Sequence, residues 1–176
     1  MRRLGIYATV LLRLALGVAF LSAVADRFGL WGAHGAPGVS WGDFERFTAY
    51  TAVLNWFMPG GLIPLLAWTA TIVEVALGVS LILGLYTRAS ALLSGLLLLL
   101  FAAAMTLALG VKAPLNYSVF TAAAAAFLLA AQPSFEWSVD SLVRHRRAKN
   151  ALGLRAARWR GRAGAPKGAT PVSGNA

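Results

Sequence analysis

Arg13 and Glu74 are formal charges set inside long apolar stretches, LLRLALGV and TIVEVALGV. An ionised side chain at bilayer depth costs about 2.5–3.5 kcal/mol on insertion scales, so each needs a partner or a task. A guanidinium and a carboxylate there can form a buried ion pair that fixes helix register, or a site that passes a proton or contacts a ligand headgroup. Counted from the expected inner helix ends, Arg13 lies nine residues past Leu4 and Glu74 ten before Gly84, so matching depth predicts that the two pair. Gly17 and Gly78 follow the two charges by four residues each, on the same helix faces, and predict close helix packing.

A second polar group marks the other end of the apolar segments. Asp26 and Arg27 close the first segment, and Lys112, Asn116 and Tyr117 open the last. Arg27 and Lys112 fit ordinary interfacial solvation. Asn116 and Tyr117 lie within a short apolar stretch that can ill spare length, so with Trp68 and Asp26 they are the candidate lining of a lipophilic pocket. The absence of cysteine excludes disulfides, thiol catalysis and iron–sulfur ligation by this chain. The two histidines, His34 and His145, lie outside the apolar segments, so no intramembrane histidine pair for haem and no metal site is expected. If electrons pass here, another molecule carries them.

These residues must be positioned by membrane helices. The 176 residues are 59% hydrophobic and 12% charged, whereas a soluble domain carries about 25% charged residues to solvate its surface. Apolar segments at 4–25, 62–85, 89–109 and 115–131 flank an outer loop, 26–61. Crossing the hydrocarbon core takes about 20 helical residues, and only a helix satisfies its own backbone there. The expected fold is therefore an all-α integral membrane four-helix bundle. Arg2, Arg3, Arg88 and the nine basic residues after 143 fall on one side, so the positive-inside rule predicts cytoplasmic N and C termini. A competing reading takes Met1-Arg2-Arg3, the first apolar stretch and Ala23-Val24-Ala25 as a cleavable signal peptide; Arg13 interrupting that stretch, and its length, favour a retained span.

Within the outer loop, Ser40-Trp41-Gly42-Asp43 precedes a short helix with Phe44, Phe47, Leu54 and Met58 on one face, suited to the bilayer surface or to capping the bundle. The net charge of +10 resides mainly in residues 144–176, a tail with the composition of disorder. Its expected partners are anionic lipid headgroups, with no nucleic acid expected.

Arg13 in LLRLALGVAFL, Asp26-Arg27, Glu74 with Gly78 and Gly84, the LYTRASALL turn and the later KAPLNYSVF stretch together resemble the DoxX/DoxD family of small membrane proteins over residues 10–131. The resemblance implies a four-helix bundle in a bacterial or archaeal inner membrane. By position, Arg13, Asp26, Arg27, Glu74 and Arg88 match the charged positions of the family it resembles. Val24-Ala25 stands where the family often has glycine. Because relatives include a subunit of a thiosulfate:quinone oxidoreductase, the resemblance also implies proximity to a quinone and to a redox partner protein. A small transporter or proton-linked channel, and a structural membrane organiser without activity, are the alternative functions.

Overall fold

Six helices account for most of residues 2–143, the part of the chain that the computed structural model describes; the basic tail from 144 lies outside the described residues. They are α1 (Arg2–Arg27), α2 (Phe44–Leu54), α3 (Ile63–Leu83), α4 (Thr87–Leu109), α5 (Lys112–Asn116) and α6 (Val119–Ala130), with a 3-10 turn at Gly60–Leu62 ahead of α3. No strand occurs among the described residues. The chain to Ser141 packs as one unit, and a second unit begins at Leu142.

Local chemistry sets the element ends. Asp43 caps α2 by accepting from the Arg46 N–H at 2.8 Å. Pro64 sits in the first turn of α3, where its missing N–H costs nothing. Gly84 ends α3 at φ 70°, a left-handed value that favours glycine, and its N–H bonds the Ser80 carbonyl.

Helices α1, α3 and α4 are long and apolar enough to cross a membrane. The expected fourth span, 115–131, is instead two pieces. The polar trio Asn116-Tyr117-Ser118, read as the start of a helix, is its break: Ser118 adopts φ 55°, between α5 and the 12-residue α6. At 1.5 Å per residue α6 covers about 18 Å, short of the roughly 30 Å hydrocarbon core.

Small residues let the helices approach. Ala91 and Ala102 of α4 and Ala123 and Ala126 of α6 are essentially fully buried, and the Phe127 ring lies against Gly95. Leu16, Phe20, Leu77, Leu81, Leu129 and Phe135 complete the central cluster. Without a hydrophobic drive between helices in lipid, such close van der Waals packing holds the bundle together. Gly17 and Gly78, expected at close helix packing, meet each other: a Cβ at Gly17 would lie 2.9 Å from the Gly78 carbonyl, and a Cβ at Gly78 would lie 3.1 Å from the Gly17 carbonyl.

Antiparallel packing around that contact sets the register of α1 against α3. Arg13 reaches Gly84, so the first turns of α1 run past the α3–α4 turn. At this end Asp140 accepts from the N–H groups of Tyr86 (2.9 Å) and Thr87 (2.7 Å), capping α4 from a distant part of the chain. The C-terminal end of α1, α2 and the start of α3 form the opposite end.

Gly17→Leu and Gly78→Leu should each lower the thermal midpoint in detergent, by an overpacking cost of about 1–3 kcal/mol. Gly5→Leu, where nothing lies within 4 Å, should leave the midpoint unchanged.

Candidate functional site

Glu74 does not meet Arg13. The same glycine contact that draws α1 and α3 together rules that pair out. In antiparallel helices touching at Gly17 and Gly78, the residue four before Gly17 lies opposite the one four after Gly78. Arg13 therefore faces the end of α3, about 12 Å from the level of Glu74.

The partner of Glu74 is Arg27. Its Nη2 donates to both carboxylate oxygens, at 2.7 and 2.8 Å, and its Nη1 donates to Thr71 Oγ1 at 2.8 Å. Thr71 passes the chain on, donating to the Ala67 carbonyl at 2.8 Å. Glu74 is 1% exposed and Arg27 3%. Helical side chains lean toward their own N-terminus, so Arg27 hangs down α1 while Glu74 tilts the opposite way along α3. That lean joins two residues that a depth count from helix ends keeps apart. Thus Arg27, read as an interfacial charge, is the cation of the core.

Aromatic rings close the pair from above. The Phe47 ring centre lies 3.7 Å from the guanidinium carbon and the Trp41 ring 5.5 Å away. Trp41 in turn contacts Phe47 at 5.2 Å and Tyr50 at 6.1 Å between ring centres. Asp26 holds this cover in place: its Oδ2 accepts from the backbone N–H of Ser40 at 2.9 Å and of Trp41 at 3.2 Å. Adjacent residues therefore do opposite work, Asp26 fastening the outer loop and Arg27 entering the core. Burial first, and the charge of Tyr117 second, push the Tyr50 hydroxyl above its ordinary value, so it stays a protonated donor at neutral pH.

The pocket expected from Trp68, Asn116, Tyr117 and Asp26 is not assembled as one site. Trp68 is half-exposed and packs on Phe44 at 4.4 Å and Phe28 at 6.1 Å. Asp26 is buried in loop closure, whereas Asn116 and Tyr117 lie exposed at the α5–α6 break. Arg88, another charge singled out by its position, donates to the Gln132 carbonyl at 2.8 Å and joins no site.

Arg13 has a separate duty. Its Nη2 donates to the Trp137 carbonyl at 2.7 Å and its Nη1 to the Glu136 carbonyl at 3.4 Å, with the Asp140 carboxylate near enough to act on its charge. Trp137 adopts φ 50°, and the buried guanidinium helps hold its backbone there. No local motif in the sequence marks Asp140 or Thr71; a lone aspartate after the last apolar segment is the available sign of the former. Among the described residues no group of His, Cys, Asp and Glu could hold a metal ion.

A family model described as DoxX matches residues 8–109, which include Arg13, Asp26, Arg27, Glu74 and Arg88. No curated protein matches the chain. No solved structure matches it either.

In a double-mutant cycle, Arg27→Leu should cost about 3–5 kcal/mol of stability, because it strands a buried carboxylate, and Arg27→Leu/Glu74→Leu should recover much of that loss. The corresponding Arg13/Glu74 cycle should be additive; thermal unfolding in detergent reads both. Acidification should also loosen α2. The Arg46 backbone N–H holds the Asp43 carboxyl below its ordinary value, so the cap is complete above the unfolded aspartate range and is lost as pH falls through the lowered folded value. Tryptophan fluorescence in wild type but not in Asp43→Asn should report that loss.

Proposed function

This chain belongs to the DoxX family, and on that premise we propose that it is a non-catalytic, quinone-contacting subunit of an oxidoreductase in a prokaryotic cytoplasmic membrane, with both termini in the cytoplasm. The observation that carries the reading is the cluster of rings, Tyr50, Trp41 and Phe47, over the buried Arg27–Glu74 pair, with Asn116 and Tyr117 exposed at the α5–α6 break. A quinone head needs ring faces and a few donors for its carbonyls. The Tyr117 and Tyr50 hydroxyls and the Asn116 amide are donors of that kind, beside apolar surface at the α5–α6 break, so the residues present fit the group. When bound, a quinone supplies reversible electron acceptance, which this chain's own side chains lack.

Each residue then has a defined task. Asn116 and Tyr117 hold the quinone head at the exposed α5–α6 break, and Tyr50 stays protonated. Arg27 and Glu74 form a fixed floor. Their mutual engagement favours an accessory role over proton-linked transport, since a transporter would have to separate Glu74 from Arg27 in every cycle.

Solvent extraction of the chain purified in mild detergent should release near-stoichiometric quinone, and Tyr117→Phe/Asn116→Leu should lose most of it without a change in thermal midpoint. Equal quinone in both proteins would refute the site. Proteoliposomes of the chain alone should show no proton-coupled flux; flux abolished by Glu74→Gln would establish the transporter instead.

A further inference from the structure

At the Arg13 end of the bundle, a cleft of about 230 Å³ is lined by Arg3, Ile6, Tyr7, Glu136 and Trp137. The Tyr7 and Trp137 rings meet edge to face at 5.9 Å and form one wall. The cleft carries one cation and one carboxylate. Among the described residues, neither the Arg3 nor the Glu136 side chain makes an ion pair or hydrogen bond. Two opposite charges thus line one space without neutralising each other. What is fixed is the backbone behind them: Arg13 holds the carbonyls of Glu136 and Trp137, the backbone from which the carboxylate and the indole extend.

The setting is a bilayer boundary. Leu4 and Leu11 are 68% and 69% exposed on the same turns of α1 and require lipid at that level. Tyr7 and Trp137, both more than half exposed, are the ring types that settle among headgroups.

We propose that this cleft binds the headgroup of a zwitterionic membrane phospholipid bearing a primary amine, its phosphate on Arg3 and its ammonium on Glu136 beside the Trp137 ring. The charges select this class. A headgroup of net zero charge satisfies both liners, whereas an anionic one leaves Glu136 facing like charge. A primary ammonium offers three N–H donors to the carboxylate, and a quaternary one offers none. The indole adds a cation–π contact that either amine can use, so discrimination rests on Glu136. This site lies at the opposite end of the bundle from Tyr117 and stands independently of the quinone reading.

Native mass spectrometry of the delipidated full chain, offered equal amounts of phosphatidylethanolamine and phosphatidylcholine in one detergent, tests the assignment. The ethanolamine lipid should be retained about tenfold more, the scale of a charge-assisted hydrogen bond. Glu136→Gln should abolish the preference and Arg3→Gln should weaken retention, with thermal midpoints unchanged because neither side chain is bonded within the described fold. Equal retention of the two lipids by the wild type would overturn the proposal, as would a preference surviving in Glu136→Gln. Soluble glycerophosphoethanolamine competing mole for mole with the lipid would overturn its membrane source.

Discussion

The bond between Arg27 and Glu74 organises the molecule around it. Two charges out of water are tolerable only when geometry and hydrogen bonds are nearly complete, and here one guanidinium nitrogen serves both carboxylate oxygens while the other takes Thr71. That requirement fixes α1 along α3 and brings Phe47 down on the guanidinium face. It also turns the chain sharply after residue 27, because Asp26 must at the same time reach the backbone of Ser40 and Trp41. A sequence with so few charges concentrates its specificity in them. The apolar side chains around the pair supply cohesion, but lipid offers them comparable contact.

Much of the architecture was legible in the letters. The three long helices, the short helix after Asp43 and the glycine seam follow from apolar run length, a capping residue and small-residue spacing, all local signals. The break at Tyr117-Ser118 is visible as a polar trio, but a helix start and a helix break share the same polar residues, so the letters alone do not separate the two.

The ion pair was less legible because it depends on how far one helix slides along another. A depth count assumes that helices begin and end at common levels, and α1 instead overruns the α3–α4 turn. The matching RLALGV and EVALGV letters made the error attractive. They run in the same direction along chains that pack in opposite directions, so superposing the glycines necessarily separates the charges. Arg27 was hidden for a different reason: long basic side chains at helix ends commonly turn toward water, and only the packed structure shows this one turning inward. The pocket expected from four residues mixed a side chain that serves loop closure with others that stand apart and exposed.

The cap that Asp140 places on α4 carries a consequence for biosynthesis. The N–H groups of Tyr86 and Thr87 leave the ribosome more than fifty residues before the carboxylate that binds them. Throughout insertion of α4, α5 and α6, that helix start has water or headgroups for company. Arg13 waits longer still for the carbonyls of Glu136 and Trp137. The inward-turned pair of α1 and α3 can form early, whereas the opposite end closes only when the returning chain arrives. Maturation of the fold is thus directional, and a nascent chain halted before residue 136 would carry a settled interior beneath an unsealed rim.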